Sequence, residues 1–296
     1  MEVLSFIANL IFVTALGWYL LTNLQWYDYR IGRAVFHHHK IWWHVVYFII
    51  PFTLYVFSGN YSVYVVGVYL PLLYFWHRHL DKKLVLTWRV KRFLILIVSL
   101  TVFLNFLFGL KEISTVYSVL LPLAFSYLFS GGIEKFLFLS YKRKAKKKIA
   151  SMQKLTIICI TGSYGKTSMK NFVAQLLSQK YKVYATPRSV NTLAGIIKDI
   201  NQSLPSDTQV YVCEAGARLE GDIYAIAQFL HPQIVVVGKV GPQHIEYFKT
   251  IDRIKRTKLE LIHSDRLEKA FVHTSVTDQS HPKVKFFVNE LLNINE

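Results

Sequence analysis

The stretch Thr161 to Ser168, TGSYGKTS, follows the strand-like LTIICI and precedes an amphipathic helical pattern, and its residue types suit the handling of phosphate. A glycine-rich turn from strand to helix aims backbone N–H groups and the positive end of the helix at an anion. Gly162 and Gly165 let the main chain come close, Lys166 can reach β- and γ-phosphate oxygens, and the Thr167 hydroxyl can ligate Mg²⁺. Ser163 and Ser168 complete the candidate binding loop. Its first glycine stands only three residues before the second, one short form away from the common G-x-x-x-x-G-K-[ST] spacing, so position between strand and helix carries as much weight as the motif.

The elements needed to hold such a loop are present around it. Strand-like LTIICI, KVYAT, QVYVCEAG and QIVVVGKVG alternate with helical patterns at about Lys166 to Gln179, Leu193 to Asn201 and Asp222 to Phe229. Continuous apolar strands separated by helices predict a mainly parallel sheet covered on both faces, an α/β P-loop domain over 151–296. Cys159 and Cys213 fall in predicted strands, so buried free thiols are expected and a disulfide is not.

The first half is chemically different. It carries apolar runs from Val3, Ile41, Tyr61, Phe93 and Ile113, each near the length that a bilayer core requires, the second and third short enough to need the Tyr and Trp anchors found at the borders. Up to Ala150 there are 17 Lys and Arg against 5 Asp and Glu, and beyond it 18 against 13. The excess lies between the first and second runs, between the third and fourth, and in KRKAKKK from Lys142 to Lys148. The positive-inside rule then predicts a polytopic α-helical membrane region over 1–141 with about five spans and the N-terminus outside. A basic cytoplasmic linker over 142–150 leads into the nucleotide domain.

The basic loops suit anionic lipid, and no nucleic-acid motif accompanies them. His37 to His39 and His77 to His79 lack carboxylate or cysteine partners at ligand spacing and read as interfacial. The spans hold almost no internal ionisable residues, which argues against a transport path.

Five ordered blocks give the second half a resemblance. TGSYGKTS, ATPRSVNTLAGI, CEAGARLEGDI, VGKVGPQHIEYF and RTKLEL, between about Thr156 and Leu261, are similar in type and order to segments of the Mur ligases, the amide-forming enzymes of peptidoglycan precursor synthesis. The blocks look most like those of the members that add D-alanyl-D-alanine. The resemblance implies transfer of the ATP γ-phosphoryl to a substrate carboxylate, followed by attack of an amine on the acyl phosphate, with ATP and Mg²⁺ required. It implies a UDP-muramyl-tripeptide and D-alanyl-D-alanine as substrates, the bacterial cytoplasmic membrane as location, and the lipid bilayer and cell-wall synthesis enzymes as partners. Residue by residue, it implies that Glu214 and His244 are Mg²⁺ ligands and that Asn191 lies near the γ-phosphate or the substrate carboxylate. Lys258 matches a lysine that many members carbamylate, with Glu260 close by in sequence.

For Glu214 a solvated loop acid, for His244 a capping or core histidine and for Lys258 a solvated basic helix face are the alternatives. Arg188 replaces a usual Gly and Thr192 a usual Asn. The family's soluble N-terminal substrate domain has no counterpart here, and the chain ends 35 residues beyond Leu261, so a fragment without the amine-binding domain is expected. Two other functions fit the same residues: a membrane ligase for another polymer, of the poly-γ-glutamate kind, and a non-catalytic, membrane-anchored nucleotide-binding module.

Overall fold

A computed structural model describes residues 2–27, 29–36, 41–57, 61–109, 115–188, 190–243, 245–276 and 282–288. The chain divides into two compact units, Met1–Phe136 and Leu137–Glu296. His37 to His39 and His244 lie outside the described residues.

In the first unit the apolar runs are helical: α1 (Glu2–Trp26), α3 (Trp42–Phe57), α4 (61–78), α5 (Trp88–Gly109) and the start of α6 (Thr115–Ser151), with a short α2 (Ile31–Phe36) after the first. Among the described residues three helices are long and apolar enough to cross a membrane, Val3–Trp26, Trp88–Leu107 and Val116–Ser151. The second and third runs, expected as spans, differ. Trp42–Phe57 is shorter, and at 1.5 Å per residue it falls below the roughly 30 Å of a hydrocarbon core. α4 reaches its full length only by taking in His77 and Arg78. Both contain a π-helical stretch, Val45–Ile49 and Val65–Tyr69.

α1 is the hub of this unit. Phe12, Leu16 and Tyr19 are fully buried with Tyr55, Tyr69, Val90, Ile97 and Val119. The Phe12 and Tyr55 rings stack with centroids 4.1 Å apart. At Gly17 a Cβ would come within 2.2 Å of Ile97 Cδ1, so α1 and α5 approach as closely as only a hydrogen side chain allows. Polar side chains join the helices as well: Asn9 Nδ2 donates to Tyr55 OH (3.2 Å) and to Ser118 Oγ (3.0 Å), and Asn105 Nδ2 donates to Asn9 Oδ1 (2.8 Å). In an apolar setting such groups need internal partners, and these amides supply them. At the other end of α1, Gln25 exchanges two hydrogen bonds with the Val85 backbone and Trp26 Nε1 donates to Lys82 O (2.7 Å). Arg92 pairs with Glu134 nearby.

α6 is one helix from Thr115 to Ser151, so the basic stretch KRKAKKK is helical. Its last turns belong to the second unit, where Ala145 is fully buried, Lys148 Nζ donates to Ile200 O (2.8 Å) and Lys142 Nζ lies 5.9 Å from the Phe229 ring centroid.

The second unit is built on a parallel sheet in the order β2-β3-β1-β4-β5-β6. The strands are β1 (Thr156–Thr161), β2 (Val183–Ala185), β3 (Val210–Glu214), β4 (Ile234–Val237), β5 (Lys269–His273) and β6 (Val284–Phe287). Between them run α7 (Lys166–Ser178), α8 (Leu193–Gln202), α9 (Asp222–Leu230), α10 (Ile245–Phe248) and α11 (Ile251–Leu259). Alternate strand residues face opposite layers. Ile157, Cys159, Tyr211, Cys213 and Val235 pack with α8, α9 and α11, while Ile158, Ile160, Val210 and Val212 pack against Met169, Val173 and Leu177 of α7. Both faces are thereby covered, which explains the unbroken apolar strands. Cys159 and Cys213 stand opposite each other in register on β1 and β3, and both are free and buried as expected. The chain turns from β1 toward β2 on one side and later toward β4 on the other, so the carboxyl ends of β3, β1 and β4 surround a switch in strand order, where α/β sheets place their ligands.

Candidate functional site

β1 ends at Thr161 and the backbone then leaves the ladder through two glycines. Gly162 has φ +153° and its Cα hydrogen faces Gly238, whose backbone a Cβ would meet at 3.3 Å. Gly165 has φ +71°, a left-handed conformation that turns the chain into α7. Ser163 ties this loop to the chain after β4: its N–H donates to Lys239 O (2.9 Å), its hydroxyl donates to Gly241 O and accepts from Gly241 N, both at 3.0 Å. Ser163 thus serves the shape of the loop through a buried side chain. Ser168 is exposed on the first turn of α7.

Lys166 Nζ lies over this loop, donating to Ser163 O (3.0 Å) and Gln243 Oε1 (3.4 Å). Burial lowers its pKa and the Glu214 carboxylate opposes that shift. Thr167 Oγ1 donates to Glu214 Oε2 (2.8 Å) and Asn191 Nδ2 to Glu214 Oε1 (3.1 Å). Glu214, the last residue of β3, is 2% exposed, which excludes the solvated loop acid. Asn191 is held by close approach: Gly216 N–H donates to its carbonyl (2.7 Å), and a Cβ on Gly216 would stand 2.9 Å from Asn191 Cγ. Three of the residues singled out in the sequence, Thr167, Asn191 and Glu214, from three separate segments, therefore meet at the Glu214 carboxylate, which also acts electrostatically on Lys166.

Two residues that the sequence did not single out hold this point together. Lys170, one turn after Lys166 and 1% exposed, donates to the carbonyls of Thr186 and Arg188 and lies 3.9 Å from Glu214 Oε2. Thr186 Oγ1 accepts from Glu214 N (3.2 Å). The available signal for Lys170 was its i, i+4 relation to Lys166, which puts both cations on one helix face. Arg188 has φ +29°, which gives the reason the resembling segment has glycine there. Thr192 caps α8 by accepting from Gly195 N (3.2 Å), a role that Asn fills as well, so its exchange for Asn keeps the local structure.

Lys258, near the end of α11, is 3% exposed rather than on a solvated basic face. Burial, with repulsion from Lys166, lowers its pKa to about 8 against the pull of Glu260, Asp222 and Glu214. Glu260, which acts on Lys258 through its charge, also closes the amino end of α9: its two carboxylate oxygens accept from Gly221 N (2.7 Å) and Tyr224 N (3.0 Å).

For a metal, Thr167 Oγ1 and Glu214 Oε2 offer hard oxygen donors beside the loop. No cluster of three His, Cys, Asp or Glu suited to a metal occurs among the described residues. This fits Mg²⁺, which is held by one or two carboxylates together with water and phosphate oxygens rather than by a full protein cage.

Residues 160–291, most of the second unit, match the Mur ligase middle domain. UDP-N-acetylmuramoyl-tripeptide--D-alanyl-D-alanine ligase of Mycobacterium leprae is 42% identical over 107 residues, 36% of this chain and 20% of that protein. The ligase of the same name from Rickettsia prowazekii is 32% identical over 108 residues, 36% of this chain and 24% of that one. The chain thus spans at most about a quarter of the length of these relatives. Among solved structures, MurF of Thermotoga maritima in complex with ADP is 27% identical, with a TM-score of 0.44 over 51% of this chain and 36% of that one. MurF of Acinetobacter baumannii is 22% identical, with a TM-score of 0.45 over 51% and 34%.

Proposed function

We propose that this protein is a membrane-attached, ATP-dependent amide ligase of peptidoglycan precursor synthesis, joining D-alanyl-D-alanine to a UDP-muramyl-tripeptide. The observation that carries the reading is the meeting of Thr167 and Asn191 on the Glu214 carboxylate at the carboxyl end of β3, beside a glycine loop over which Lys166 lies. The names of its relatives supply the substrate class.

The reaction has two steps. A substrate carboxylate oxygen attacks the ATP γ-phosphorus and ADP leaves, giving an acyl phosphate. The free amine then attacks the acyl carbon, phosphate leaves with the bonding electrons, and the amine loses a proton. The first step gathers negative charge around phosphoryl oxygens, so positioned cations and N–H donors supply most of the catalysis. Lys166 meets the β- and γ-phosphates and the loop N–H groups meet the β-phosphate. Thr167 and Glu214 would hold Mg²⁺, with His244 as a ligand of a second ion, and the metal would supply neutralisation of charge on the transferred group. Asn191 orients the carboxylate or the γ-phosphate. Lys258, whose pKa of about 8 leaves part of it neutral near physiological pH, can take up carbon dioxide as a carbamate and become an anion.

In this reading the first unit, with three helices long and apolar enough to cross a bilayer, anchors the chemistry at the cytoplasmic membrane. α3 and α4 count as two spans or none, so either way the N-terminus lies outside and the sheet domain inside.

Lys166→Ala tests the reading. ATP turnover dependent on UDP-muramyl-tripeptide and D-alanyl-D-alanine should fall about 10²-fold or more, with the circular dichroism unchanged. Unchanged turnover in that variant rules the assignment out. Turnover only with another acceptor points to a different polymer, and Mg-ATP binding without phosphate release to a non-catalytic module.

A further inference from the structure

The first unit contains a groove of about 570 Å³ between α1, α4 and α5. Leu10, Ile11 and Trp18 form one wall, Leu73 and Tyr74 another, and Val98 a third. The Thr14 hydroxyl, also on the wall, gives its proton to Leu10 O (2.7 Å) and so has no donor left for a ligand. Such a surface suits a hydrocarbon chain.

One end of the groove is different. His77 lies there against the Trp18 ring, centroids 5.8 Å apart, and its Nδ1 is shielded from solvent without a hydrogen-bond partner among the described residues. A buried, unpaired ring nitrogen is unfavourable and marks a place for an incoming polar atom. The next residue, Arg78, sets its guanidinium 5.9 Å from the centroid of the Tyr74 ring in the groove wall, and exposed Lys82 and Lys83 follow. The site is therefore apolar along its length and cationic at its mouth.

We infer that this groove holds one acyl chain of an anionic glycerophospholipid from the leaflet on the basic side, with its glycerol or phosphate oxygens at His77 and Arg78. Charge complementarity selects the headgroup: Arg78 borders the groove at Tyr74, the exposed Lys82 and Lys83 follow it in the same basic stretch, and basic residues near a bilayer surface favour anionic over zwitterionic lipid. The inference rests on the membrane placement proposed above.

The first measurement is alkaline carbonate extraction of membranes holding the full chain. Release into the soluble fraction overturns the membrane placement and the groove's occupant with it. With the chain retained, the delipidated protein in mild detergent is titrated with phosphatidylglycerol and phosphatidylcholine of matched chains and observed by native mass spectrometry. One phosphatidylglycerol should be retained in preference. Val98→Trp, which enlarges a partly exposed wall residue, should abolish that retention. Arg78→Gln should weaken the headgroup preference about fivefold, the size expected for one basic residue near the surface. Equal retention of both lipids, or wild-type retention in both variants, overturns the site. Displacement of phosphatidylglycerol by an equimolar polyprenyl phosphate overturns the choice of occupant in favour of a lipid-linked phosphate.

Discussion

Lys258 shows how one residue's burial sets up chemistry and a cost together. The folded protein holds its proton only to about pH 8, whereas the unfolded chain holds it to the ordinary 10.5. Between those values the unfolded state binds more protons, so this lysine's contribution to stability improves as pH rises. Below pH 8 both states are protonated and the penalty is complete, about 3 kcal/mol at 1.36 kcal/mol per unit. Lys258→Met should therefore raise the stability of the sheet domain at pH 7 by roughly 1–3 kcal/mol, a gain that shrinks toward pH 10. Hydrogen exchange of β1 and β3 amides at both values measures it, and a loss of stability at pH 7 would refute the account. In the sequence Lys258 stood among Lys255 and Arg256 with nothing to mark it as the buried one. Gly162, Gly165, Lys166 and Thr167 stood out because their spacing and their place between a strand and a helix are both local features of the sequence. Lys170 and Thr186 were not, because their partners are backbone carbonyls and an N–H that only the folded loop brings to them.

At the scale of elements, the helix α8 carries the site's most delicate joint. Its cap, Thr192, follows directly on Asn191, which reaches Glu214. Thr192→Ala should cost about 1 kcal/mol of domain stability and weaken ATP binding as Asn191 loses its fixed position, whereas Thr192→Asn should leave both unchanged. Thermal unfolding with and without Mg-ATP separates these outcomes, and equal behaviour of the two variants would show that the cap has no part in the site. The first four strands and the three helices between them were readable from apolar runs and their punctuation. β5 and β6 were missed. KAFVH and VKFF are short, and β5 exposes Lys269 and Phe271 between its buried residues, so neither gives the continuous apolar signal of β1 or β3. In the first unit the runs marked helices, yet hydropathy did not disclose that α6 continues through its cations.

For the whole molecule, the distribution of charge makes a prediction about sidedness. An N-terminal epitope tag should be cleaved by protease added to intact spheroplasts, while a cysteine replacing Lys83 should react with an impermeant maleimide only after lysis. Labelling of that cysteine in intact spheroplasts would reverse the assigned orientation. The test is insensitive to whether α3 and α4 cross fully, because together they change the number of crossings by two or by none.

The two thiols give the molecule a built-in clock. Cys159 and Cys213 are the chain's only cysteines, they lie opposite each other in central strands, and the first unit has none. Alkylation in the native protein therefore waits for the middle of the sheet to part, and its rate reports that event without any reporter being introduced and without a contribution from the first unit. A ligand that fastens the ends of β1 and β3 slows the clock by the free energy it adds to the closed state, so binding can be timed through reactivity at residues it never touches.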